Sequence, residues 1–251
     1  MCEKAPLLTR YRLALSAGRD TPSPEWAYRL YAALLDGLPP AASEAVHRGS
    51  AVSQFLAPRG GSWCWSVHLL GEDGHRLLAP CLESRRTYRL KKLGITLHVE
   101  DLERESVADV ETLFALAQGL DLPRVLRFRT PTAFKSRGQY VSLPTPWLLL
   151  QSLARRWNSA FPACPIIDED GQGLQALAEG LRFPRFRLES RGYCLKGSSI
   201  PGFVGEVAVE SGLTGFHRHL AGLLLLFAPY AGVGIKTALG MGGVESGPER
   251  P

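Results

Sequence analysis

The sequence contains no C-x-x-C pair. Its five cysteines, Cys2, Cys64, Cys81, Cys164 and Cys194, are scattered and odd in number, which argues against a disulfide framework and a zinc centre and fits reduced thiols. No carboxylate cluster offers a metal-ligand set: Asp168-Glu169-Asp170 beside Gly171 reads as a solvated turn. No metal and no cofactor are therefore expected. Long apolar runs are also missing. The longest, Leu220 to Ala228, contains Gly222 and stops at Pro229, too short to cross a bilayer. The opening MCEKAPLLTRYRLALSAG lacks the charged and then apolar pattern of a secretory signal. Together these absences predict a soluble, cytoplasmic protein with no membrane partner.

The residues that are present are those of a globular chain, 45% apolar and 21% charged over 251 positions, enough for one large domain or two small ones. Lys+Arg 29 against Asp+Glu 24 gives a net charge of +5, which leans towards an anionic partner.

Hydrophobic spacing supplies the elements. Leu7, Thr9, Tyr11, Leu13 and Leu15 alternate with mostly polar neighbours as a half-buried strand does. In TPSPEWAYRLYAALLDGLPP, Ser23 and Pro24 can start a helix, Trp26, Leu30 and Leu34 recur on one stripe, and Gly37 before Pro39 ends it. SWCWSVHLLG puts Trp63, Trp65, Val67 and Leu69 on one face of a strand that turns at GEDGH; TYRLKKLGITLHVEDL reads as one or two more strands. The second half repeats the scheme. PRVLRFRTPTAFKSRGQYVSLP is extended or hairpin-like, and TPWLLLQSLARRWNSAFP is a helix capped by Thr145 with Pro146 first and Trp147, Leu150, Ala154, Trp157 and Phe161 buried. GFVGEVAVES alternates, TGFHRHLAGLLLLFA is a buried helix, and ALGMGGVES can form a last strand. An α+β protein of two tandem split β-α-β units, ferredoxin-like in βαββαβ order, accommodates all of this. The join falls near ALAQGLDLP, dividing the chain into residues 1–118 and 119–251.

The stretch AGVGIKTALGMGG follows a helix and leads into the final strand. Ile235 occupies the place where a Walker loop needs glycine, and Thr237 stands where a dinucleotide fingerprint needs its last one, so neither motif fits. Gly232, Gly234, Gly240, Gly242 and Gly243 frame Lys236 and Thr237. Backbone without side chains can approach a sugar-phosphate chain and present N–H donors, with Lys236 adding charge. Upstream, Arg127 and Arg129 are two apart on one strand face, with Lys135 and Arg137 at the turn beyond; with Lys236 they can line one groove for RNA phosphates, and Phe134 or Tyr140 can stack on bases. Arg155 and Arg156 read as a solvated helix face. His68 and His98 read as half-exposed sheet residues, His75 sits in a turn, and His217 and His219 diverge on a helix. His47 follows the first helix after a short PPAASEAV connection, where a side chain can face a cleft.

The pattern G232-V-G-I-K-T-A-L-G240-M-G242, the S/T-P-T-x-F segment with its basic turn and R-W-N helix, and the PGFVGEVAV strand together resemble the CRISPR repeat-processing endoribonucleases of the RAMP superfamily. The likeness covers most of residues 124 to 246, and the family's tandem ferredoxin-like fold matches the fold read above. What it implies is a metal-independent endoribonuclease that cuts CRISPR precursor RNA by attack of a 2′-hydroxyl, leaving 2′,3′-cyclic phosphate and 5′-hydroxyl ends. The alternative within the superfamily is a non-catalytic RNA-binding subunit of an effector complex. The family's catalytic histidine stands just after the first helix in a V/L-H context matched by Val46-His47, and Tyr31 matches a tyrosine that some members use. Where those members carry a lysine this sequence has Ser53, and Arg48 is the nearest positive charge. His47, Tyr31 and Arg48 are thus the implied catalytic set, with Arg127, Arg129, Lys135, Arg137, Gly232, Gly234, Lys236, Thr237, Gly240 and Gly242 on the RNA side. CRISPR repeat RNA, other effector subunits and a second copy of the chain are the implied partners.

Overall fold

The computed structural model describes residues 5–46 and 51–248, with the backbone alone of 47 and 48. The chain opens on β1 (Leu8–Ser16), whose alternation buries Tyr11, Leu13 and Leu15. Helices α1 (Trp26–Leu35) and α2 (Pro40–Arg48) follow, then the hairpin β2 (Val52–Arg59) and β3 (Ser62–Leu70), helix α3 (Gly71–Ser84), and the hairpin β4 (Thr87–Leu90) and β5 (Ile95–Val107). The sheet order is β2-β3-β1-β5-β4 with every pairing antiparallel. This is a split β-α-β sheet with β4 added at one edge.

Helix α4 (Val110–Gln118) leads into the second half and packs Leu113 and Ala117 into that half's core. There follow β6 (Arg124–Thr132), the hairpin β7 (Phe134–Ser136) and β8 (Gln139–Val141), helix α5 (Pro146–Ala160), helix α6 (Gln172–Gly180), β9 (Leu181–Arg182), β10 (Phe186–Ser190), the hairpin β11 (Tyr193–Leu195) and β12 (Ser198–Ile200), β13 (Phe203–Ser211), helix α7 (Gly215–Ala231) and β14 (Val244–Pro248). The second sheet runs β10-β13-β6-β14, again antiparallel throughout. Its order reproduces that of β2-β3-β1-β5, so the ferredoxin-like unit occurs twice.

Several stretches differ from their sequence reading. PPAASEAV is helical, because Pro40 sits in the first turn, where its fixed φ and missing N–H do no harm, and alanines carry the rest. GEDGH is the first turn of α3: Glu72 and Asp73 favour a helix N-terminus, and Gly74 is needed because a Cβ there would stand 2.5 Å from the Ala51 carbonyl oxygen. The final strand is confined to Val244–Pro248. His68, expected half-exposed, is 1% exposed, since the second face of β3 is covered by the end of α7.

A polar seam joins the halves. Gln54 on β2 is buried and uses its whole amide: Nε2 donates to the carbonyls of Ala27 (3.1 Å) and Ala238 (3.0 Å), and Oε1 accepts from Trp65 Nε1 (2.8 Å). Ser53 beside it donates its hydroxyl proton to the Tyr230 carbonyl at 2.6 Å. The Ser53 oxygen, 3.0 Å from His68 Nδ1, is then left to accept, which fixes neutral His68 with its proton on Nδ1. Burial, with Arg10 and Arg12 adding to it, holds the His68 pKa well below 6.5.

Gln54→Leu orphans the Trp65 N–H and two carbonyls. At ~1–3 kcal/mol for each buried unsatisfied group, stability by urea unfolding should fall by about 3 kcal/mol; an unchanged midpoint would refute the seam. His68 is neutral when folded and takes a proton when unfolded below about pH 6.5. Its contribution is therefore present above that pH and lost as pH falls, by up to ~1.4 kcal/mol per unit. The loss of stability between pH 7 and 5 should be shallower in His68→Gln than in the natural chain.

Candidate nucleic-acid interface

Helix α5 presents two faces. Leu149, Leu150, Leu153 and Trp157 enter the core, while Ser152, Arg155, Arg156 and Ser159, spaced three or four apart, share the opposite stripe. That stripe forms one wall of a cleft of about 510 Å3; Lys135 and the segment Gly234–Ala238 form the other. The cleft therefore gathers Lys135, Arg155, Arg156 and Lys236.

The glycine-rich loop is held from behind. Val233 N–H donates to the Gly242 carbonyl, Ile235 to Ala133 and Gly242 to Pro131, at 2.9 to 3.0 Å. Gly234 N–H donates to Ser152 Oγ at 2.8 Å and Gly243 N–H to Thr130 Oγ1 at 2.9 Å. The donors expected to meet phosphate are thus largely engaged within the protein. Gly232, Gly240 and Gly242 are buried and shape the loop from inside. Gly234 has φ +84° and a Cβ on it would stand 2.2 Å from the Ala133 carbonyl oxygen; at Gly242, with φ +69°, it would stand 2.1 Å from that of Val233. This fit thrusts Lys236 outward, itself left-handed at φ +54° and exposed, with buried Thr237 behind it.

At the inner end of the cleft Arg156 leaves the solvated face expected for it. Nη2 donates to the Val52 carbonyl across the seam, and Nε is buried with no hydrogen-bond partner among the described residues. Burial pushes its pKa down to about 10, so it stays cationic at neutral pH. Tyr31 of α1, 3% exposed, carries a hydroxyl that burial pushes up to about 12 despite the Arg156 charge, so it stays protonated at neutral pH. His47 and Arg48 end α2, and their side chains lie outside the described residues. Ala45, Val46, Ala51, Ser159 and Ala160 line one depression, and Ser159 also lines the cationic cleft. The turn bearing His47 therefore adjoins the end of α5, one helical turn beyond Arg155 and Arg156.

Other predicted residues lie apart. Arg127 and Arg129 do share a face, as their spacing required, but Leu126 and Phe128 point at the helices, so the arginines occupy the far side of the sheet. Arg127 pairs with Glu206 at 2.9 Å and Arg129 with Glu245 at 3.3 Å, and Arg129 also donates to the Pro58 carbonyl. Neither lines the Lys135–Lys236 cleft. Arg137 is exposed at the β7–β8 tip at φ +47°. Phe134 is 3% exposed and packs towards Phe203; Tyr140, 46% exposed and opposite Lys135 in register, is the available ring of that pair. Arg155 and Arg156 are the contributors that the sequence reading passed over. Their signal was the Ser152–Arg155–Ser159 spacing opposite an apolar stripe.

A doubled ferredoxin-like fold whose last helix runs into a glycine-rich loop beside a cationic cleft defines a RAMP-type protein. The family model for "CRISPR-associated endoribonuclease Cas6" matches residues 126–244. A Streptococcus thermophilus protein of that description is 31% identical over 183 residues, 72% of this chain and 74% of its own. A Mycobacterium tuberculosis one is 29% identical over 231 residues, 88% of this chain and 72% of its own. A solved Cas6 product complex superposes with a TM-score of 0.74 at 26% identity, covering 96% of this chain and 99% of that one. Thermus thermophilus Cas6, at 24% identity and a TM-score of 0.68 over 96% of this chain and 99% of that one, shares the fold. The chain belongs to the Cas6 family of CRISPR-associated endoribonucleases. Among the described residues no helix is long and apolar enough to cross a membrane.

Two variants separate the loop's parts. Lys236→Ala should leave the melting temperature unchanged while lowering the salt dependence of RNA binding by about 0.7 in log–log slope, one phosphate contact on a single strand. Gly234→Ala should reduce stability by about 1–3 kcal/mol through backbone strain, lowering binding with it; a stable Gly234→Ala protein with full affinity would contradict the packing role.

Proposed function

We propose that the protein cuts CRISPR precursor RNA within its repeats without a metal, by the attack of a ribose 2′-hydroxyl on the adjoining phosphorus. The O2′–P bond forms as the P–O5′ bond breaks, one proton leaving the 2′-oxygen and another reaching the 5′-oxygen. The products carry a 2′,3′-cyclic phosphate and a 5′-hydroxyl. The observation that carries this reading is the shared Ser159 boundary, which brings the α2 turn bearing His47 next to the cationic cleft.

In this reading His47, of a type whose ordinary pKa is about 6.5, exchanges the proton near neutral pH. Tyr31, protonated at neutral pH, serves as a hydrogen-bond donor and not as a base. Arg48 stands beside His47 in sequence, but Arg156 supplies the stronger structural case for neutralising the phosphate. Its guanidinium reaches Val52, next to the Ser53 that replaces the family's lysine, and Ser53 itself is buried against His68 and the Tyr230 carbonyl. Lys135, Arg155 and Lys236 hold the strand, with Arg137 and Tyr140 at the hairpin tip and Thr237 supporting the loop. Residues 1–118 then donate the acid-base group and residues 119–251 the RNA cradle, while on the far face Arg129 reaches the Pro58 carbonyl across the seam and Arg127 pairs with Glu206 of its own sheet. Action in the cytoplasm, delivery of the product to other effector subunits and pairing with a second copy belong to the same proposal.

The test is incubation of labelled repeat RNA with the protein in EDTA. A discrete product with a cyclic phosphate end is expected, and a 2′-deoxy substitution at the cut nucleotide should abolish it. His47→Ala should bind RNA but cleave about 10²–10⁴-fold more slowly, and Arg156→Gln should lose about 10²–10³-fold while staying folded by circular dichroism. A gel shift with no product would leave a binding subunit, and equal cleavage by natural and His47→Ala chains would remove His47 from the chemistry.

A further inference from the structure

A second and larger cleft, about 750 Å3, lies between the start of α1, the β4–β5 turn and the β11–β12 turn. Three cations face it, Arg29, Lys92 and Lys196, against one carboxylate, Glu25. Neighbouring Lys91 is paired with Asp36 at 2.7 Å, whereas Arg29, Lys92 and Lys196 make no ion pair among the described residues. Two half-buried rings, Trp26 and Tyr28, line the same cleft, and Lys196 Nζ stands 5.5 Å from the centre of the Tyr28 ring. Trp26 thus gives only part of its surface to the core stripe that its spacing suggested.

The wall bearing Lys196 is rigidly tied to the loop bearing Lys236. Lys196 and Gly197 make the two-residue turn with φ of +52° and +86°, the conformation that closes a tight hairpin. In β11 below them, fully buried Tyr193 donates its hydroxyl to the Leu239 carbonyl at 2.7 Å. Tyr28, Ile235 and Leu239 pack on the cluster formed by Tyr193 and Leu195. Ile235 and Lys236 also line the first cleft. One surface therefore runs from Lys135 and Arg155 across Ile235 and Lys236 to Tyr28 and Lys196.

Resting on the RNA-cleaving reading of the first cleft, we infer that this second cleft binds unpaired nucleotides of the same RNA, its lysines on phosphates and Trp26 or Tyr28 stacked on exposed bases. Rings beside unpaired cations suit single strands, because a base inside a duplex has no free face to stack.

Binding of repeat RNA with its single-stranded flanks, measured by fluorescence anisotropy across a salt series, tests this on the full chain. Lys92→Ala/Lys196→Ala should lower the log–log salt slope by about 1.4, two single-strand phosphate contacts, and Trp26→Ala should weaken binding about 5- to 150-fold, the range for one lost base stack. Lys91→Ala, which removes one charge already paired with Asp36, serves as the control for loss of a neighbouring lysine and should not change the slope. RNA trimmed of its flanks should bind the natural and double-variant chains alike. If the natural chain binds and cuts RNA while the double variant keeps the natural slope and affinity, the second site is overturned and the first stands. If the natural chain neither binds nor cuts, the underlying reading fails instead.

Discussion

Gln54 bonds to three parts of the molecule at once: α1 through Ala27, the glycine-rich loop through Ala238, and β3 through Trp65. A buried amide must find partners for all its donors and acceptors or forfeit the cost of desolvating them. Here each partner belongs to an element whose position matters to the site. The same residue that joins the two halves therefore fixes the height of the loop carrying Lys236 relative to the helix carrying Tyr31. Close packing reinforces the constraint: Gly243 leaves no room for a Cβ, which would stand 2.3 Å from the Phe55 ring.

Once the loop is seated, the charges around it follow from helix geometry. The polar stripe of α5 meets Lys236 across the cleft, and only Arg156 is drawn inside, where low solvent access and the neighbouring Tyr31 hydroxyl give it an environment unlike that of exposed Arg155. A guanidinium remains charged under those conditions where an ammonium would lose its proton more readily. Arg156 thus sits on a helix of one half and bonds to a backbone carbonyl of the other.

Most of the fold was legible because its elements obey local rules. The alternation in β1 and β13 and the Thr145-Pro146 start of α5 reappear in the structure. α2 and α3 were not legible: their prolines and glycines carry the same letters in a turn as in a first helical turn, and packing against the sheet decides between them. His68 was misread for a related reason. Period two states which face a residue takes, but not whether another half of the protein covers that face.

The glycine-rich loop divides the two sources of information most clearly. Sequence alone located it, tied it to Lys236 and carried the likeness to a family of RNA-cutting enzymes, since residue types and spacing are properties of the chain. Tertiary structure alone decided what the glycines do, because a backbone amide can serve a phosphate only if no neighbour has already claimed it, and β6, Ser152 and the end of α7 claim most of them. It also separated Arg127 and Arg129 from the cleft and brought Arg156 into it. Charge is written in the sequence, but which charges face one another depends on how two sheets and their helices meet.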